Sequence, residues 1–187
     1  MINGLLHALV LDEQGGARTI ENSAELHNWQ PEQGKLWVHM DYSQADVVTW
    51  LKGCEFLTDY ELESLTADET RPRITPATNG HMLFLRGINL NPAQSPEDMV
   101  SIRLFINDDI VITTRKRRLL SIQDILASFS NNTGPRSISE LVCTITQKLT
   151  SRMESVIDAL DETLDEFEEE IDEPSKIKLS LMKPLIY

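Results

Sequence analysis

Apolar positions fall into two regimes along the chain. Up to about residue 114 most come as short runs or in strict alternation, the signature of strands; beyond residue 119 they recur every three or four positions, the signature of helices. Leu5–Leu11 is a short apolar run ending at Asp12-Glu13-Gln14-Gly15-Gly16, a strand followed by a turn. Lys35–Met40 (KLWVHM) predicts a second strand, with Asp41-Tyr42-Ser43 leading out of it. Ser43 is placed to cap a helix carrying Val47, Val48, Trp50 and Leu51. Thr58 is placed to cap another through Tyr60, Leu62 and Leu65, with Glu61 at the capping-box position.

Arg71-Pro72-Arg73-Ile74 begins an extended piece, because the residue before a proline avoids helix. Asn79-Gly80 is a hairpin signal, and His81–Ile88 is the apolar strand behind it. After a Pro-containing loop at 91–98, Met99–Ile106 alternates, with Val100, Ile102, Leu104 and Ile106 on one face. Asn107-Asp108-Asp109 turns the chain into a further strand, Ile110–Thr114, so the middle reads as an antiparallel meander.

The period then changes. Leu119, Leu120, Ile122, Ile125, Leu126 and Phe129 predict a helix closed by Asn131-Asn132-Thr133-Gly134-Pro135. From Ile138 to Ile171 every apolar step is one, three or four residues, and neither Pro nor Gly interrupts 138–173. At ~1.5 Å per residue such a helix is roughly 54 Å long. A compact chain of this size is about 40 Å across. The helix is therefore expected to overhang its domain, its apolar stripe covered by another helix or subunit. Pro174, within Asp172-Glu173-Pro174-Ser175, breaks the pattern. Ile177, Leu179, Leu181, Met182 and Leu185 start a new apolar segment whose only charges are Lys176, Lys178 and Lys183. Ending at Tyr187 inside an apolar segment, the chain reads as truncated within a helical hairpin. The expected organisation is an α/β sandwich over 1–136, then a long acidic helix, a turn at 172–175 and the start of a second helix over 137–187.

Charge sharpens this picture. Of the net −13, residues 1–150 carry 13 Lys+Arg and 19 Asp+Glu, and residues 151–187 carry 4 and 11. The excess is concentrated at Asp158–Glu173, where ten of sixteen residues are acidic and none is basic. Like charges at these helical spacings repel. Two readings stand: a surface that concentrates divalent cations, with Glu166, Glu169 and Asp172 as candidate metal-attracting residues, or a solvated polar face. No EF-hand spacing is present. Such a balance excludes phosphate-backbone binding, so no nucleic-acid partner is expected. The one basic cluster, Arg115-Lys116-Arg117-Arg118, offers Arg115, Arg117 and Arg118 as anion-binding candidates, against a solvated turn or pairing with a neighbour's acidic helix.

Cys54 and Cys143 form no CxxC pair and fit core or near-core positions in a reducing compartment. His7, His27, His39 and His81 stand at no metal-ligand spacing, and His39 and His81 read as structural histidines in strands. No GxSxG, P-loop or GxGxxG is present, so no enzymatic reading is supported. No apolar stretch approaches the ~18–20 residues that span a bilayer, and no signal peptide opens the chain.

Several segments together resemble a known family. Leu36-Trp37-Val38-His39-Met40-Asp41-Tyr42, followed by Trp50-Leu51, is similar to its W-(L/V)-H-(L/M)-(N/D)-Y…W-L segment. Glu69-Thr70-Arg71-Pro72-Arg73-Ile74 is similar to its (E/D)-(S/T)-R-P-R-(V/I) segment, and Leu85-Arg86-Gly87-Ile88-Asn89 and Val111-Ile112-Thr113-Thr114-Arg115 resemble two later strands. The family is that of CorA-like divalent-cation transporters, in its amino-terminal cytoplasmic domain, closest to the ZntB zinc-transporter branch. The resemblance covers most of residues 1–150 in order; in the acidic helix only the pattern matches. It implies an α/β/α sandwich with a largely antiparallel mixed sheet and a long C-terminal helical hairpin. It also implies a homopentameric funnel on the cytoplasmic side of the inner membrane, with the chain's own copies and its transmembrane helices as partners. No cofactor is implied; zinc or magnesium enters as a transported or regulatory ion. The family's G-(M/V)-N motif and membrane spans are absent from this sequence, which is therefore not expected to conduct ions alone. The expected function is the soluble cytoplasmic domain of a zinc or related divalent-cation transporter. The alternatives are a magnesium/cobalt CorA-type domain or an oligomerisation scaffold.

Overall fold

A computed structural model describes residues 2–68, 70–95 and 98–172, with side chains as far as residue 168. The chain divides into two compact units after Thr150. The first holds a seven-stranded mixed sheet. Its strands are β1 (Leu5–Leu11), β2 (Ala17–Thr19), β3 (Leu36–Asp41), β4 (Arg73–Ala77), β5 (Gly80–Gly87), β6 (Val100–Ile106) and β7 (Ile110–Arg115), in the spatial order β2-β1-β3-β7-β6-β5-β4. All neighbours are antiparallel except β3 and β7, which pair in parallel from Leu36↔Ile110 to Asp41↔Arg115. The fold is the expected sandwich. The meander β4-β5-β6-β7 is as predicted, while the parallel β3–β7 join brings together segments some seventy residues apart.

Helices cover both faces. On one side α1 (Ser23–His27), α2 (Ala45–Lys52) and α3 (Asp59–Thr66) place Leu26, Val47, Leu51 and Leu65 against Val10, Val38, Met40, Phe84, Phe105 and Ile112. On the other, α4 (Leu120–Ser130) and the start of α5 (Ile138–Asp172) pack Ile125, Phe129, Leu141, Ile145 and Leu149 on Leu9, Trp37, Ile102, Leu104 and Val111. Central strands buried on both faces read as continuous apolar runs, as LWVHM in β3 does. The sheet's ends are blunted: β2 is three residues long, and the edge strand β4 carries Pro76.

Local chemistry sets several boundaries. Asp12 Oδ1 accepts from the backbone N–H of Gln14 and Gly16 (2.8 and 2.9 Å) and closes the turn after β1. At α3 the predicted capping box is present: Thr58 Oγ1 accepts from Glu61 N, and Glu61 Oε2 accepts from Thr58 N at 2.7 Å. Glu61 Oε1 also accepts from Thr78 N at 2.7 Å, which ties α3 to the β4–β5 turn. Burial works against the Glu61 carboxylate, yet these hydrogen bonds outweigh it and hold its pKa below the usual carboxylate value.

Three expectations need correction. Ser43 does not cap α2, whose N-cap is Gln44; its hydroxyl donates instead to Asp41 Oδ1 at 2.7 Å. The β4–β5 turn centres on Thr78-Asn79, since Ala77 pairs with Gly80. Gly80 is needed for space, because a Cβ there would lie 2.1 Å from the Ile106 carbonyl oxygen. Cys143 is exposed on α5, so only Cys54 is near-core; burial pushes the Cys54 thiol up to about 12. The helix expected at 138–173 is observed over Ile138–Asp172, whereas the turn at 172–175 and the second arm lie outside the described residues.

Candidate functional site

The second unit begins at Ser151, within α5. From there, Met153, Val156, Ile157, Leu160, Leu164 and Phe167 fall within about 100° of the helix circumference at 100° per residue. Leu160 and Leu164 are 59% and 58% exposed. Asp158, Asp161, Glu162, Asp165, Glu166 and Glu168 are all exposed and occupy the rest of the circumference. Asp158/Glu162, Asp161/Asp165 and Glu162/Glu166 stand at i,i+4 with no basic residue between them. Among the described residues no three His, Cys, Asp or Glu side chains gather at a geometry that could hold a metal ion. Of the three candidate cation residues, Glu166 is exposed on this face, and the side chains of Glu169 and Asp172 lie outside the described set.

The basic cluster after β7 is dispersed by the fold. Arg115 is half-buried, with Nη1 3.8 Å from Asp41 Oδ2. Burial lowers its pKa, partly offset by Asp41. Arg118 donates to Gln123 Oε1. Of the three anion-binding candidates Arg117 alone reaches a solvent-open pocket of about 710 Å³, which its neighbour Lys116 and Tyr42, Asp68, Arg86, Met99 and Arg103 also line. Three strand ends converge there: β3 leads to Tyr42, β5 ends near Arg86, and β7 leads to Lys116.

Arg103, on β6, is 1% exposed. Its Nη2 donates to Asp68 O at 2.9 Å and its Nη1 to Ser101 O at 3.4 Å, and its guanidinium carbon lies 4.7 Å from the centre of the Tyr42 ring. Nε has no partner, and no ion pair reaches this side chain among the described residues. Lys116 Nζ meets Asp68 Oδ1 at 2.8 Å, and Arg86 Nε donates to Thr70 O at 2.6 Å. Sequence reading passed over Arg86 and Arg103 because each is a lone cation in a strand. The available signal was in β6 itself, where Val100, Ile102 and Leu104 are apolar on one face and Phe105 on the other; both faces are covered, so Arg103 had to be buried.

Two histidines, His39 and His7, pack within the sheet, whereas His81, expected to be structural, is exposed. His39 is buried, and its Nδ1 lies 2.8 Å from Thr113 Oγ1. That hydroxyl also accepts from Trp37 Nε1 (2.9 Å) and donates to Val38 O (3.1 Å). Its single proton is thereby used, so His39 Nδ1 carries a hydrogen. Burial, reinforced by Arg115 and His7, drives the His39 pKa to about 3. His7 stacks on His39 with ring centres 6.3 Å apart, and burial followed by Arg115 lowers its pKa as well. His81 stands exposed on β5.

Comparison with known proteins places this geometry in context. The model of the family described as CorA-like Mg2+ transporter protein matches residues 32–182. The divalent cation transporter CmaX of Pseudomonas aeruginosa is 35% identical over 153 residues, 81% of this chain and 46% of the relative. The zinc transport protein ZntB of Yersinia enterocolitica is 31% identical over 149 residues, 80% of this chain and 44% of the relative. The chain thus spans about half the length of these curated relatives. Among solved structures, the ZntB cytoplasmic domain of Vibrio parahaemolyticus superposes with a TM-score of 0.78 at 31% identity, covering 88% of this chain and 65% of that one. No helix among the described residues is long and apolar enough to cross a membrane.

Proposed function

The chain belongs to the CorA-like Mg2+ transporter protein family, and from that premise we propose that it is the cytoplasmic part of an inner-membrane transporter for zinc or a related divalent cation. In this reading the membrane-spanning helices come from the remainder of a longer protein, and copies of the chain, five as in the family it resembles, form a funnel beneath the pore. One observation carries it: a ZntB cytoplasmic domain matches this chain in both sequence and fold across 88% of its length. The acids of α5, with Glu166, Glu169 and Asp172 as candidate cation residues, would raise the local concentration of divalent ions on the route to the pore.

The test is calorimetry with zinc and with magnesium, paired with native mass spectrometry of the 187-residue chain. The expected result is saturable zinc binding by a multimer, abolished by combining Glu166→Gln, Glu169→Gln and Asp172→Asn. No heat of binding, or binding unchanged in the triple variant, removes the cation role of this helix.

A second reading, an assembly scaffold without cation binding, is favoured by the exposed apolar stripe of Leu160, Leu164 and Phe167 opposite the acids. Association that proceeds equally with and without divalent cations selects it.

A further inference from the structure

The pocket beneath Tyr42 bears on a different function. We propose that it is a binding site for a small phosphorylated organic molecule, held by Arg86, Arg103, Lys116 and Arg117. The inference does not depend on the transport reading.

Charge is the first argument. In a chain of net −13 the described residues lining the pocket include those four cations against two acids, Asp68 and Asp98. Asp68 is already engaged by Lys116 at 2.8 Å and by the Tyr42 hydroxyl at 3.3 Å. The second argument is Arg103. A buried charge is ordinarily paired, because removing it from water is costly. Arg103 is 1% exposed and meets only two carbonyl oxygens and the face of Tyr42, with Nε unpartnered. Among the described residues two of its five N–H donors are used, and its nearest acid, Asp68, acts on the guanidinium without an ion pair and is itself held by Lys116. An anion seated in the pocket supplies the direct ionic partner that Arg103 lacks among the described residues.

The size of the pocket selects among anions. About 710 Å³ is the volume of a small-molecule site and far exceeds that of a bare phosphate. Tyr42 and Met99 provide a partly apolar wall for an organic body, while Arg86 and Arg117 offer planar guanidinium forks suited to phosphate oxygens. The phosphate could belong to a free metabolite or to a lipid headgroup, and the probes separate these sources.

Calorimetry on the full chain at low salt would use phenyl phosphate, inorganic phosphate, and vesicles of phosphatidylcholine with and without phosphatidic acid. Phenyl phosphate is expected to bind saturably and at least tenfold more tightly than inorganic phosphate. Affinity should fall as salt rises and drop at least fivefold in Arg117→Gln, whose side chain is exposed. Arg103→Gln should lose binding altogether, with circular dichroism reporting whether it folds; if it does not, Arg86→Gln replaces it. Binding only to phosphatidic acid vesicles supports the same site with a lipid headgroup as its source. Absence of saturable binding to every probe, or binding unchanged in Arg117→Gln and in Arg86→Gln, overturns the proposal.

Discussion

His39 should make the fold acid-sensitive in a defined window. Its imidazole is 2% exposed and neutral, and its folded pKa is about 3 against 6.5 for a free histidine. Above pH 6.5 neither the folded nor the unfolded state carries the proton, and stability is complete. As pH falls below 6.5 the unfolded chain takes up a proton that the folded chain refuses, so stability is lost progressively until about pH 3. At 1.36 kcal/mol per pKa unit the whole difference is worth about 5 kcal/mol, of which about 2 kcal/mol has gone by pH 5. The experiment is a series of urea titrations from pH 7.5 to 4.5 on the parent and on His39→Gln. The substitution costs stability at neutral pH through lost packing and the lost Thr113 contact. It cannot be protonated, however, so the gap between the two proteins should narrow by about 2 kcal/mol at pH 5. Carboxylate titrations are common to both and cancel; His7, also lowered, adds slope of the same sign to both. A gap constant with pH would refute the assignment of a neutral, proton-refusing His39.

Other outcomes follow from the same structure. Glu61→Gln weakens the charge-assisted bonds to the Thr58 and Thr78 amides and should cost about 1–3 kcal/mol at pH 7 in urea titration. Because the folded Glu61 pKa lies below 4.5, that cost should vanish as pH falls through the folded value. Gly80→Ala places a Cβ 2.1 Å from the Ile106 carbonyl oxygen and should lower stability by about 1–3 kcal/mol or more, read as a fall in thermal midpoint. Replacing Leu164 and Phe167 together by Gln removes two half-exposed apolar side chains without touching the buried core, so circular dichroism should be unchanged. If their stripe is covered by association, a loss of about 1–2 kcal/mol per side chain weakens it at least tenfold in analytical ultracentrifugation.

Much of the fold was legible because it is written in short-range periodicity. Alternation in Val100–Ile106, the apolar run of β1, the Thr58/Glu61 box and the three-and-four spacing of α5 each specify an element from its own residues. Residues 17–33 were not read, since a three-residue strand, a five-residue helix and a 3-10 turn are shorter than any period that marks them. Turn details also escaped: Asn79-Gly80 announced a hairpin, but strand register placed its centre one residue earlier. The family itself was legible in the order of the segments from Leu36 to Arg115.

The candidate pocket was not legible. Its cations stand at positions 86, 103, 116 and 117, and in sequence only the last two look like a cluster. Antiparallel pairing of β5 with β6 and of β6 with β7 puts Arg86 and Arg103 beside the chain end that carries Lys116 and Arg117, while the parallel β3–β7 join delivers Tyr42 over Arg103. The same pairing drew Arg115 toward Asp41 and left Arg118 on Gln123, dispersing the basic run that looked like a site. Local pattern was enough for the longer elements and the charge asymmetry, which depend on residues within a few positions of each other, and the order of short segments was enough for the family. Which charges are buried, paired or left facing a pocket depends instead on strand order and register, which bring residues tens of positions apart into contact.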